Sequence, residues 1–268
     1  MLCLPLKTQK IQPNNVLIEV LHAALKKHRL VLKEGDVVCV VSKVVSLCEG
    51  GLVRVDGTGS AGGAGGAKSA ATRGVKRYGA YDDSVALTEL IKAQADVVFP
   101  GEMYLTVKDG MFTASAGVDT SNVPPGYAIT WPRDAYASAR AIWAALRRAT
   151  GVKKLGVLIF DSGIMPLRNG VTGVVLGYAG FRGVEDYRGK RDLFGNILRV
   201  TQRNVADGLA AAATLVTGEG AESVPFVVIR DAPVKCTSAA VDPSEVKRQA
   251  EECLYSVLYP AKLLRKKS

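Results

Sequence analysis

The sequence predicts an α/β protein, more closely an α+β arrangement with mixed sheets, and three observations carry that reading. Short runs rich in β-branched residues, clearest at 37–41 (VVCVV) and 155–160 (LGVLIF), have the character of buried strands. Longer segments place apolar residues at helical spacing, as at Val16, Leu17, Val20, Leu21, Ala24 and Leu25. The two kinds of segment interleave without a strict β-α-β repeat, which favours mixed strand pairing over a simple doubly wound sheet.

Taken in order, a first helix covers 16–25, and Gly35-Asp36 breaks the chain before the strand at 37–41. A short strand is expected at 52–55. Residues 57–74 are rich in Gly, Ala and Ser, a composition that cannot pack a core and reads as a loop or insertion. Apolar residues Val85, Leu87, Leu90, Ile91 and Ala95 predict a helix over 81–95, followed by strands near 103–107 and 111–116. An alternately basic and apolar helix covers 137–149. The strand at 155–160 ends on Asp161, and an Ala-rich helix over 200–216 is stopped by Gly218. A strand at 225–229 and a last helix over 244–258 complete the reading. The expected organisation is one main domain over 1–235, then a C-terminal helix and basic tail over 236–268.

Composition narrows the function classes. The 268 residues are 48% apolar and 22% charged, an ordinary globular balance. The longest uncharged apolar stretch, 170–181, falls short of the roughly 20 residues that span a bilayer. The N-terminus lacks the basic and apolar regions of a signal peptide. Five cysteines, odd in number and without a C-x-x-C, suit reduced thiols in a cytoplasmic protein. A net charge of +10 suits a polyanionic small ligand such as a nucleotide or polycarboxylate. Nucleic acid is the weaker alternative, because the basic clusters lie on polar helix faces with few aromatics nearby.

Several catalytic patterns fail. Residues 57–62 (GTGSAG) match a dinucleotide loop and 62–69 nearly match a phosphate loop, but both lie in the glycine-rich tract with no apolar helix following. His22 and His28 sit beside lysines on or near the first helix and are expected to face solvent. No G-x-S-x-G elbow is present. What remains is a set of acids in polar, glycine-punctuated turns: Asp119, Asp161 beside Ser162, and Glu219. Carboxylate and hydroxyl oxygens are the hard ligands that Mg2+ or Mn2+ takes when it also holds phosphates. The plain alternative is that each caps a turn, as Asp commonly does.

Together these segments resemble the γ-glutamyl ligase family of the deazaflavin coenzyme F-420. The likeness is carried by 35–46 (GDVVCVVSKVVS), 116–122 (AGVDTSN), 161–172 (DSGIMPLRNGVT), 186–195 (DYRGKRDLFG), Val205 to Asp207, and Gly218-Glu219-Gly220 with Val224-Pro225. The resemblance implies the family's mixed-sheet fold over 1–235 and a cytoplasmic, GTP-dependent ligase, usually a homodimer. That enzyme forms an amide between L-glutamate and the terminal carboxylate of a coenzyme through an acyl phosphate. It implies two divalent cations, Mg2+ or Mn2+, with K+ a further candidate. By position, Asp119, Asp161, Ser162 and Glu219 correspond to metal ligands. The nucleotide site corresponds to Leu4, Pro5, Leu6, Lys7, Ser42, Lys43, Asn122, Thr217, Gly218, Glu219, Gly220, Ala221, Glu222, Ser223 and Val224.

Asp161 and Arg168 are the catalytic candidates, and Arg168, Arg188, Lys190 and Arg191 are candidates for binding carboxylates. Where the family often has a lysine, Leu47 stands before Cys48-Glu49-Gly50, with Lys43 or Arg168 as the substitute. That change, Trp131-Pro132-Arg133, and Pro166-Leu167-Arg168 resemble a bacterial branch associated with extending folates. The acceptor is therefore an F-420 precursor or tetrahydrofolate. The contrasting reading is a non-catalytic homologue that binds nucleotide or RNA.

Overall fold

The computed structural model describes residues 1–56, 84–99 and 104–259. The expected loop at 57–74 lies outside the described residues. In chain order the elements are β1 (Leu2–Leu6), α1 (Leu17–Lys27), β2 (Val37–Val41), α2 (Ser42–Cys48), β3 (Leu52–Arg54), α3 (Val85–Gln94), β4 (Val97–Phe99), β5 (Leu105–Lys108), β6 (Met111–Ala114), β7 (Tyr127–Ile129), α4 (Ala135–Thr150), β8 (Gly156–Ile164), β9 (Val171–Ala179), β10 (Val184–Asp186), β11 (Gln202–Asn204), α5 (Val205–Thr217) and β12 (Phe226–Arg230). The mixed α+β class is the observed one.

A five-stranded sheet in the order β1-β12-β2-β8-β9 forms the centre, with β2 and β8 parallel and the other pairs antiparallel. Both faces are covered. Leu21, Ala24 and Leu25 of α1 and Ala139, Ile142 and Leu146 of α4 pack on Val38, Val40, Val157 and Ile159. On the other face, Leu209, Ala210 and Ala213 of α5 pack on Val37, Cys39, Leu158 and Phe160. Two-sided burial explains why the strands at 37–41 and 155–160 are continuously apolar. Gly177 on β9 lets α4 approach the sheet, since a Cβ there would lie 2.4 Å from the Ala135 carbonyl carbon. A smaller cluster joins Leu87 and Ile91 of α3 to Val55, Ala116, Val118 and Ala128.

Buried Asp36 ties β2 to β12. Its carboxylate accepts from Arg230 Nε (2.9 Å) and Nη2 (2.8 Å) and from the Lys33 amide (2.8 Å).

The structure corrects several expected elements. The segment 200–204 is not helical: Gln202–Asn204 is a strand, and Asn204 caps α5 by accepting from the Asp207 amide at 3.0 Å. The long helix expected at 244–258 is instead three separate 3-10 turns, at Pro243–Glu245, Ala250–Glu252 and Leu254–Leu258. Leu254, Val257 and Leu258 are exposed there, so no apolar face is buried, and a helix of that length gains too little from propensity alone. The segment is nonetheless docked: Glu245 accepts from the Tyr178 hydroxyl (2.6 Å) and the Gly183 amide (3.0 Å). Residues 260–268 of the expected basic tail lie outside the described residues. Among the described residues no helix is long and apolar enough to cross a membrane.

Candidate active site

Strand pairing brings distant segments to one end of the central sheet. Val41, the last residue of β2, pairs with Phe160 of the parallel β8, so Ser42 and Lys43 emerge beside Asp161. Strand β12 is antiparallel to β2, and the turn before it arrives at the same end: the Val41 amide donates to the Pro225 carbonyl at 3.0 Å. Strand β1 in turn ends there, with the Thr8 amide donating to the Ser223 carbonyl at 2.9 Å. Residues 6–7, 42–43, 161 and 217–224 thus share one edge, the carboxyl end of the parallel pair, where α/β sheets place their ligands, whereas the expected Leu4 and Pro5 pair with Val228 and Val227 inside the sheet.

The loop at 119–122 is clasped onto this edge by two side chains. Lys43 Nζ lies 2.7 Å from Asp119 Oδ2 and donates to the carbonyl and Oγ of Ser121, each at 2.9 Å. Ser121 donates back to Asp119 through its amide (2.7 Å) and hydroxyl (2.9 Å). Asn122 donates from Nδ2 to the Gly220 carbonyl at 2.9 Å, joining this loop to the 217–224 turn. Inside that turn Glu222 folds back to accept from the Gly220 amide at 2.8 Å. Asp119 is also fixed through its backbone, exchanging both hydrogen bonds with Ile129, just past which the chain carries Trp131. Trp131 donates its indole N–H to Asp161 Oδ2 at 2.5 Å.

The two carboxylates differ in electrostatics. Burial pushes Asp119 up, but the Lys43 ammonium and the hydrogen bonds from Lys43 and Ser121 outweigh it and hold the carboxyl below its ordinary range. Burial dominates at Asp161 and raises it, against the Trp131 hydrogen bond, with the Asp119 charge adding to the rise.

Other expected site residues fall elsewhere. Asp161 does not end its strand: β8 continues to Ile164 and turns into β9, so the carboxylate projects from within a hairpin. Neighbouring residues of an extended strand point to opposite faces, which separates the Ser162 hydroxyl from the Asp161 carboxylate. Glu219 is exposed, and no hydrogen bond or ion pair ties it to either aspartate. Among the described residues no group of three or more His, Cys, Asp or Glu is arranged to hold a metal. The Leu6 side chain is buried and Leu4 packs against the same core, so this stretch can meet a ligand only through its backbone, Pro5 or Lys7. Ser42 and Thr217 are buried as well.

Arg168 lies exposed in the β8–β9 turn and is in no ion pair among the described residues. The other three expected carboxylate binders are engaged on the β10–β11 arm: Arg188 with Asp186, Lys190 with Glu185 and over the Tyr187 ring, and Arg191 with the Gly195 carbonyl. His28 is exposed as expected, whereas His22 is half-buried with an unpartnered Nε2. Sequence reasoning missed Ser121 and Trp131 as partners of the two aspartates. For Ser121 a signal existed, since a hydroxyl two residues after an Asp commonly closes a turn on it.

The class is that of amide-bond-forming ligases. A family model described as F420-0:Gamma-glutamyl ligase matches residues 5–231. The chain is 38% identical over 223 residues to the coenzyme F420:L-glutamate ligase of Methanopyrus kandleri, covering 83% of each chain. It is 35% identical to that of Methanothermobacter thermautotrophicus, over 75% of this chain and 77% of the relative. A Haloarcula marismortui protein of the same name is also 35% identical, with the same coverage. This chain belongs to the F420-0:gamma-glutamyl ligase family.

Proposed function

We propose that the protein is a GTP-dependent γ-glutamyl ligase that joins L-glutamate by an amide bond to the terminal carboxylate of a coenzyme, an F-420 precursor, in keeping with relatives named coenzyme F420:L-glutamate ligase. The observation that most supports this is the meeting of Asp119, Asp161 and Lys43, from three separate segments, at the sheet edge where the 217–224 turn also arrives. A pair of hard carboxylates without a third protein acid suits Mg2+ or Mn2+, which is commonly held by one or two carboxylates plus the phosphates of the nucleotide. Asp119 and Asp161 would hold such cations, and bound there they would neutralise the triphosphate and orient its γ-phosphate for transfer.

In this reading the acceptor carboxylate attacks the γ-phosphorus, GDP leaves, and the resulting acyl phosphate is an electrophile that the carboxylate was not. The amine of glutamate then attacks the acyl carbon, phosphate leaves, and the amide forms with loss of a proton. The protein's part is chiefly positioning and charge. Lys43 would exchange Asp119 for a phosphate oxygen. Asn122 would hold the 217–224 turn closed along the nucleotide. Arg168, exposed and without an ionic partner among the described residues, would receive a substrate carboxylate. We extend the proposal to a homodimer working in the cytoplasm.

The test is phosphate release from GTP with Mg2+ or Mn2+ and glutamate, comparing the F-420 precursor with tetrahydrofolate. Release that requires one acceptor and vanishes in Asp161→Asn supports the ligase and names its acceptor. GTP binding without release for either acceptor would overturn it in favour of a non-catalytic, nucleotide-binding homologue.

A further inference from the structure

We propose that Trp131 is a positioning residue: its indole N–H fixes one oxygen of Asp161 and turns the other toward a divalent cation. This rests on reading Asp161 as a cation ligand. The geometry is a built one. Trp131 is only 6% exposed, and its Nε1 lies 2.5 Å from Asp161 Oδ2. An indole offers one donor and no acceptor. It therefore occupies a single carboxylate oxygen, and being neutral it neither competes with a cation for the site nor repels one. Lys43 on Asp119 is the opposite case, a charge that an arriving cation must displace.

The indole is held from two sides. Gly117 lies under it in a left-handed conformation (φ 69°), and a Cβ there would stand 2.2 Å from Trp131 Cε2 and 2.3 Å from Nε1. The same stretch that carries Asp119 therefore has a glycine where the indole must pass to reach Asp161. On its other side the chain is pinned by the reciprocal bridge between Asp119 and Ile129, two residues before Trp131. One short piece of backbone pairing thus sets both carboxylates, Asp119 directly and Asp161 through the indole. A Trp present merely for bulk would be replaceable by Phe, whereas a Trp present for its N–H would not.

The experiment uses the full chain and Mn2+ alone, with free Mn2+ read by its electron paramagnetic resonance signal. Removing an outer-shell partner of a ligating carboxylate typically costs about 10–100-fold in metal affinity. We expect that loss for Trp131→Phe, with the metal-free melting temperature held close to that of the unaltered protein. Wild-type Mn2+ affinity in Trp131→Phe would overturn the positioning role. Asp161→Asn separates the two readings: if it too binds Mn2+ normally, Asp161 is no ligand and the underlying reading fails. If only Asp161→Asn loses Mn2+, the positioning role alone fails.

Should Trp131→Phe not fold, Trp143→Phe leaves Trp131 as the single tryptophan of the chain's two. Its emission should then be quenched by Mn2+ in step with binding. Emission that stays constant while Mn2+ binds would overturn the proposal.

Discussion

Replacing Lys43 by Met should move two affinities in opposite directions, and the crossing of signs is what makes the test sharp. Lys43 Nζ stands 2.7 Å from Asp119 Oδ2, with the two side chains 21% and 45% exposed. A cation can use that oxygen only after displacing the ammonium. Partly exposed pairs of this kind are worth about 0.2–1 kcal/mol, so Lys43→Met should bind Mn2+ alone up to about five-fold more tightly. Loss of a nearby positive charge acts in the same direction. For GTP with Mg2+ the prediction reverses. A hydrogen bond from an ammonium to a phosphate oxygen contributes about 1.5–3 kcal/mol, so GTP should bind about 10–100-fold more weakly. Calorimetric titration of Mn2+ without nucleotide, and of GTP at saturating Mg2+, reads both numbers, with Lys43→Arg as the charge-conserving control. Weaker Mn2+ binding in Lys43→Met would refute the reasoning, because it would mean that the lysine organises Asp119 for the metal instead of occupying its place.

Two predictions concern the frame that presents the site. Asp36 is buried with two hydrogen bonds from Arg230 and one from the Lys33 amide, so Asp36→Ala should cost about 3 kcal/mol in urea unfolding, the lower part of the range for breaking a buried pair. Arg230 is 20% exposed and can rehydrate, which sets that lower value, and a loss below about 1 kcal/mol would show the pair to be dispensable. The second concerns pH: burial raises the Asp207 carboxyl, outweighing its hydrogen bonds from the Val175 amide (2.8 Å) and Asn204 Nδ2 (2.6 Å). A raised folded pKa gives a stabilising contribution that is full below the unfolded carboxylate pKa of about 3.9 and is lost as pH rises through the folded value. The melting temperature relative to Asp207→Asn should therefore fall as pH rises above about 4, and a difference that grows with pH contradicts this.

How far the sequence could be read depended on what each segment's partners supplied. Strand 37–41 was legible because burial on both faces writes itself as an unbroken β-branched run. The first strand was not, because Pro5 argues against a strand. It is tolerated only because β1 pairs with β12 alone and lies at the sheet edge, where a missing N–H costs no ladder bond. Strand β9 is rich in Val and Thr, but Gly173 and Gly177 interrupt that run in the sequence, and the strand is held by β8 and by the two helices its glycines admit. The segment 244–258 erred the other way: only its start packs on the core, through Glu245 and Val246, while Leu254, Val257 and Leu258 stay exposed, so a continuous helix would bury no apolar face.

The same reasoning applies at the site. By residue type alone the candidates were Asp119, Asp161 with Ser162, and Glu219, because hard oxygens in polar turns stand out locally, whereas Lys43 and the rest of the 217–224 turn came only from the family resemblance. Their convergence was not visible, since it depends on a parallel pairing of β2 with β8 across more than a hundred residues. Direction was hidden too. Asp161 and Ser162 are adjacent in sequence and so suggest one ligand set, yet an extended backbone turns their side chains to opposite faces. Trp131 was the least legible of all, because composition counts an indole as apolar bulk and only the fold reveals which carboxylate its single N–H has been given.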